Sequence, residues 1–296
     1  MGQVVKGIIL AGGYGTRLFP ITRGLSKQFL PVYNKPMIYY ALSNLISAGI
    51  KEILVISTPE HLHFYSEVLK DIEWFGVKIF YMSQEKPRGI AQAFILAEKW
   101  LDGDSVCLHL GDNIFYGFKF DYFLKTAARL SDGALIYTVP VANPADFGVV
   151  VLGEDGSIQD IVEKPSVPIS NQAIPGIYFF DNTVCEKAKS LTPSARNELE
   201  ITDLLKLYLK ENQLLVASLE KHMAWFDCGT HQSLLQASSF VEAIETRTGQ
   251  MIGCPEEACI EAGLVSLDTV SSNIHIMPSG SYKNYLMAVL KRKMSA

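Results

Sequence analysis

The apolar run Gly7-Ile8-Ile9-Leu10-Ala11 passes directly into Gly12-Gly13-Tyr14-Gly15-Thr16-Arg17-Leu18. A short, partly β-branched run bounded by turn residues reads as a buried strand. The glycines after it allow a turn in which no Cβ obstructs the backbone. The theme recurs: residues 8–11, 53–57, 77–82, 106–110 and 134–141 read as buried strands, with helical patterns between them. One helix is expected from Pro36, a residue suited to the first helical position, to a cap at Gly49, with Ile38, Leu42, Leu45 and Ile46 on one face. A second is expected over 89–101. This alternation argues for an α/β fold with a mixed, mostly parallel central sheet flanked by helices.

From Phe147 the pattern changes. Residues 147–153 and 158–163, joined around Asp155-Gly156, read as an antiparallel hairpin. Residues 174–180 read as another strand, and Thr202-Asp203 as the cap of a helix running to Glu211. A long amphipathic helix is expected from His231 to Thr248, then a less regular tail. The expected organisation is a main body of residues 1–240 carrying the inserted antiparallel region, with 241–296 as a helical or irregular extension packed on it.

Composition narrows the function. With 48% apolar residues among 296, and only 22 Gly and 13 Pro, the chain is neither disordered nor of low complexity. A net charge of −5 supplies no general attraction to nucleic acid. Five widely spaced cysteines without a CxxC pair suggest reduced thiols in the cytosol. No secretory leader is read at the N-terminus, Lys6 stands where a myristoylation signal wants Ser or Thr, and no apolar run approaches the ~20 residues of a membrane span. The expectation is a cytoplasmic protein that engages neither membrane nor nucleic acid.

The glycine loop is the first chemical candidate. Backbone N–H groups there could meet phosphate oxygens, and Arg17 adds a fork of donors. The dinucleotide fingerprint would need glycine at Leu18, and the Walker loop needs Gly-Lys-Ser/Thr, so neither familiar pattern applies. Three glycines alone also suit a plain turn. Lys27, in Ser26-Lys27-Gln28-Phe29-Leu30-Pro31-Val32, would bring a second cation to the loop, an arrangement suited to a polyphosphate. Asp112, where the strand 106–110 ends, reads either as a metal ligand or as a turn residue bonded to its own backbone. Glu163-Lys164-Pro165 reads by itself as a solvated loop. His61-x-His63 lacks further ligands for zinc.

The segments 12–18 and 27–32 together resemble the sugar-1-phosphate nucleotidylyltransferases, and the resemblance covers nearly the whole chain. It continues through Lys35-Pro36-Met37-Ile38-Tyr39-Tyr40, Gly89-Ile90-Ala91-Gln92-Ala93-Phe94, Leu110-Gly111-Asp112-Asn113-Ile114-Phe115-Tyr116-Gly117, Glu198-Leu199-Glu200-Ile201-Thr202-Asp203, Gly229-Thr230-His231-Gln232-Ser233-Leu234 and Cys254-Pro255-Glu256-Glu257. It is strongest to the branch that joins dTTP and α-D-glucose 1-phosphate. Departures are small: Tyr14 stands where Ser is common, Phe147 where Tyr is, Asn197 where Gly is, and Cys228 where Thr is.

The resemblance implies a Rossmann-like nucleotidyltransferase fold whose antiparallel insertion binds the sugar. The implied reaction is Mg²⁺-dependent attack of a sugar-phosphate oxygen on the α-phosphorus of dTTP, giving dTDP-glucose and pyrophosphate. A UTP-using enzyme and a catalytically silent nucleotide-sugar sensor are the alternatives. The nucleophile is already an anion, so the site needs positioning and charge neutralisation rather than a general base. By resemblance, Leu10, Gly12, Gly13, Gly15, Thr16, Arg17, Lys27, Gln84, Gly89 and Asp112 bind the nucleotide, Gln84 offering acceptor and donor to the thymine imide edge. Gly148, Glu163, Lys164 and Ile174 would bind the sugar phosphate, Asp112 and Asp227 would hold Mg²⁺, and Arg17, Lys27, Asp112 and Asp227 would form the catalytic set. The family also implies a homotetramer, feedback by dTDP-rhamnose, and deoxysugar supply for surface polysaccharide.

Overall fold

The computed structural model describes residues 4–117, 119–219 and 223–295; the first three residues, part of the leader reading, lie outside that set. Fourteen strands occur among the described residues: β1 (Lys6–Leu10), β2 (Pro31–Val32), β3 (Lys35–Pro36), β4 (Glu52–Ser57), β5 (Lys78–Ser83), β6 (Val106–Leu110), β7 (Asn113–Tyr116), β8 (Ala134–Pro140), β9 (Gly148–Leu152), β10 (Ile158–Glu163), β11 (Gln172–Ala173), β12 (Ile177–Phe180), β13 (Leu214–Ser218) and β14 (Ala224–Asp227). Ten form one sheet in the order β10-β9-β11-β8-β12-β6-β1-β4-β5, with β13 beside β8. Strands β6, β1, β4 and β5 run parallel. The β9–β10 hairpin is antiparallel and turns at Gly156, whose φ is +80°.

Helices α1 (Ile38–Ser47), α2 (Pro59–Leu69), α3 (Gln92–Leu101), α4 (Phe120–Ala127), α5 (Val184–Lys189), α6 (Ile201–Lys210) and α7 (His231–Thr248) follow the chain. Cores lie on both faces of the sheet: Leu42, Leu45 and Ile46 of α1 pack with Ile9 and Val55, and Phe94 and Ala97 of α3 pack with Ile8 and Leu54. Strands covered on both sides must be apolar on both sides, which is why the sequence shows continuous runs there.

Three local expectations change. Pro36 does not open α1; it lies extended in β3, paired with Pro31, and the helix begins at Ile38. The cause is tertiary: the buried Lys35 ammonium donates to Glu245 Oε1 of α7 (2.6 Å) as well as to the adjacent Asn34 Oδ1 (2.7 Å), which pins this hairpin strand against the helix. Residues 174–180 are not one strand. Pro175 lacks an N–H, and across the break the chain changes neighbours, from β8 and β9 to β6 and β8. Thr202 does not cap α6; Glu200 occupies that position, and the Thr202 hydroxyl turns to Glu163.

The tail is regular. It forms α8 (Pro255–Glu261), α9 (Leu267–Ile276) and α10 (Ser281–Met294). Residues 240 and 241 both lie within α7, and α8 packs against α1 of the main body.

Candidate active site

The parallel strands all end at one edge, where an α/β sheet leaves room for a ligand. Just past those ends come the glycine loop after β1, Gln84 after β5 and Asp112 after β6. In the loop Gly13 has φ +95° and Gly15 φ +58°. A Cβ on Gly15 would lie 2.9 Å from Thr22 Cγ2, and one on Gly12 would lie 2.4 Å from Gln84 Oε1. The glycines therefore serve both the turn and the approach of a neighbouring side chain. Thr16 and Arg17 stand exposed at its end, and Leu10 accepts the Gly111 N–H at 2.9 Å, fixing the loop beside Asp112.

Asp112 and Asp227 meet through a strand pair. Strand β14 runs antiparallel to β7 with Asp227 opposite Asn113, and the Cys228 N–H donates to the Asp112 carbonyl at 3.0 Å. Lys27 donates to Asp112 Oδ2, and the Asn113 side chain donates to Asp112 Oδ1 at 3.1 Å. Burial alone would raise the Asp112 pKa, but Lys27 and these hydrogen bonds hold it below the usual value. The same pairing keeps Lys27 above its ordinary value in spite of burial. Asp227 goes the other way. Burial and the negative charge of Asp112 push its carboxyl up to about 6, against Lys27, Arg17 and Lys164.

A cavity of about 220 Å³ opens from this pair toward the hairpin, lined by Arg17, Asp112, Asp227, Gly148, Glu163, Lys164 and Ile174 among others. Gly148 is paired with Glu163 across β9–β10, and a Cβ there would lie 2.8 Å from Thr202 Cγ2 and 3.2 Å from Glu163 Oε2. Glu163 Oε2 accepts from Thr202 (3.2 Å) and Oε1 from Arg196 Nη2 (3.1 Å). Burial and the nearby Glu200 raise the Glu163 pKa, opposed by Lys164 and Arg196. Phe147 and Trp225 form one aromatic wall, with ring centroids 5.0 Å apart.

The fold thus gathers the expected sugar-phosphate residues with Arg17 and the two aspartates in one cavity. Gln84 lies against Gly12 of the glycine loop; neither lines that cavity, and Lys27 meets it through its pair with Asp112. Gly89 has φ +98°, and a Cβ on it would lie 2.3 Å from the Leu199 carbonyl oxygen, so only glycine lets the two segments cross. Asn197, where the family commonly has Gly, has φ +59°, a conformation Asn tolerates better than most residues.

Several neighbours were not singled out from sequence. Asn113 Oδ1 accepts from Trp225 Nε1 (2.6 Å) and the Gly176 N–H (2.9 Å), so its amide can only donate toward Asp112. Arg196 also holds Glu200 Oε2 at 2.7 Å, and the i,i+4 spacing of that pair is the one signal the sequence offers for it. Gln92 is bonded to Gln84.

A glycine loop, two convergent carboxylates and flanking cations at one cavity suit chemistry on a phosphorylated ligand. The nucleotidyl transferase family profile matches residues 6–244. A glucose-1-phosphate thymidylyltransferase of Neisseria meningitidis is 48% identical over 97% of this chain and 100% of its own length. One from Mycolicibacterium smegmatis is 46% identical over 98% and 100%. A crystal structure from Bacillus anthracis, assigned to the same enzymes, superposes with a TM-score of 0.73 at 40% identity, covering 80% of this chain and 94% of that one. The chain belongs to the nucleotidyl transferase family, and within it to the glucose-1-phosphate thymidylyltransferases.

Proposed function

We propose that this enzyme transfers dTMP from dTTP to α-D-glucose 1-phosphate, releasing pyrophosphate and dTDP-glucose. The observation that carries the reading is the seating of Asp227 beside Asp112 by the β7–β14 register, between the glycine loop and the Glu163–Lys164 end of the cavity. The glycine loop and Arg17 hold the triphosphate, with Arg17 balancing charge as pyrophosphate departs. Lys164 faces the sugar phosphate, and Glu163, with the backbone of Gly148, accepts and orients the hexose. Holding two anions in line is the main task, worth several kcal/mol of the barrier.

Asp112 and Asp227 would hold Mg²⁺. Two carboxylates at a cavity edge suit a hard ion that keeps waters and takes phosphate oxygens, and a bound cation would offset the burial and the Asp112 charge that raise Asp227. Among the described residues no cluster of three or more His, Cys, Asp or Glu could cage a metal. When bound, it would neutralise charge growing on the phosphoryl oxygens.

The deciding experiment is a panel of dTTP, UTP, dCTP and dATP with glucose 1-phosphate and Mg²⁺, scored by pyrophosphate release. Turnover with dTTP is expected; none with any nucleotide would leave the silent sensor. The reading extends to a cytoplasmic homotetramer restrained by dTDP-rhamnose, supported by the family resemblance. No helix among the described residues is long and apolar enough to cross a membrane. Light scattering tests the assembly, and assays with added dTDP-rhamnose test the feedback.

A further inference from the structure

Gln84 is nearly buried, at 2% exposure, and the direction of its amide is set by one neighbour. Gln84 Nε2 donates to Gln92 Oε1 at 2.8 Å, and the same Gln92 oxygen accepts the Arg88 backbone N–H at 2.9 Å. A backbone N–H can only donate. The Gln92 atom it meets must therefore be the oxygen, and the Gln84 atom facing that oxygen must be the NH₂ group. The Arg88 peptide is itself held, since its carbonyl accepts the Leu199 N–H at 2.7 Å. The direction of the Gln84 amide thus runs back to a fixed main-chain donor. Its oxygen is left against Gly12 of the phosphate loop, and among the described residues nothing donates to it.

We infer that Gln92 is a specificity-determining positioning residue that locks Gln84 in the orientation matching thymine or uracil and rejecting cytosine. The inference rests on the reading of the base by Gln84 that the family resemblance implies. With Nε2 tied to Gln92, the hydrogen-bonding edge left to Gln84 is an acceptor oxygen beside one remaining N–H. A thymine or uracil imide offers the complement, N3–H to the oxygen and a ring carbonyl to the N–H. Cytosine offers the reverse, an acceptor at N3 beside a donor amine, and pairs well only with the flipped amide. Flipping would turn the Gln84 oxygen toward the Gln92 oxygen, two acceptors face to face, leaving a buried polar pair unsatisfied. Gln92 never needs to touch the base.

The test compares Gln92→Leu, Gln92→Ala and Gln92→Glu with the unsubstituted enzyme, using dTTP and dCTP with glucose 1-phosphate. Gln92→Glu keeps an acceptor for both donors; the other two remove it. The expected result is a fall of roughly tenfold or more in the ratio of kcat/KM for dTTP over dCTP in Gln92→Leu and Gln92→Ala. KM for glucose 1-phosphate should stay within about twofold, and Gln92→Glu should retain most of the selectivity. An unchanged ratio in whichever of the two truncations folds, judged by its melting curve, overturns the inference, as does equal loss in Gln92→Glu. Gln84→Leu separates the two levels. If it lowers the ratio and the Gln92 truncations do not, only the locking role fails. If Gln84→Leu leaves the ratio unchanged, base reading by Gln84 fails and the inference falls with it.

Discussion

Lys27 and Asp112 form an ion pair at the rim of the cavity, each side chain no more than 16% exposed. The pair holds Asp112 below the usual carboxylate value despite burial, whereas burial and the Asp112 charge raise Asp227.

Replacing Lys27 with Met should therefore do two things. Breaking a buried pair from one side leaves an uncompensated charge and should cost about 3 kcal/mol of stability. Turnover should fall by roughly 100-fold from lost charge stabilisation. Urea unfolding and pyrophosphate release measure the two separately; a variant with unaltered turnover would remove Lys27 from the catalytic set.

Asp112→Asn and Asp227→Asn should each slow turnover by at least ~100-fold. If they act on one ion, the double variant should be little worse than the poorer single one, because residues working as a unit are not additive. Steady-state rates across an Mg²⁺ titration decide this. Near-normal rates in both single variants would contradict the metal assignment.

Gly229 is a probe of Arg17. A Cβ at Gly229 would lie 2.6 Å from Arg17 Nη2, the far end of a flexible side chain. Gly229→Ala should displace the guanidinium with little loss of melting temperature, since that group is free to swing away. A rate loss of roughly tenfold or more is expected, approaching that of Arg17→Ala, because even small misplacement of a positioning group is costly. Full activity in Gly229→Ala would show that the position of Arg17 is not critical.

His109 gives a pH signature unrelated to the reaction. It is fully buried in β6; Nδ1–H donates to the Leu110 carbonyl (2.8 Å), and Nε2 faces the Asn44 amide (3.0 Å). Burial lowers its pKa to about 4. As pH falls below about 6.5, the unfolded chain takes up a proton that the folded chain refuses, so stability present above that pH is lost progressively until about pH 4. The decline between pH 7 and pH 5 should be about 2 kcal/mol. His109→Asn should show a shallower decline in urea unfolding at the two values; parallel slopes would count against a neutral buried imidazole.

Much of this molecule is readable along the chain because it is encoded locally. The sequence pattern places the strand 106–110 and α7 from His231 to Thr248 at the bounds the structure has. Apolar runs, a Thr230 cap and a Gly249 stop act over a few residues. The glycine loop is legible for the same reason. What the sequence leaves open is wherever a distant partner outbids a local preference. Pro36 stays extended because Lys35 is drawn to Glu245, and Thr202 gives up a capping place for Glu163. The meeting of Asp112 with Asp227 depends on the register of β7 against β14, and the direction of the Gln84 amide on a backbone N–H at Arg88. Periodicity describes which face of an element is buried; only the folded packing decides which side chains end up opposite one another, since that is fixed by interactions between segments far apart in the chain.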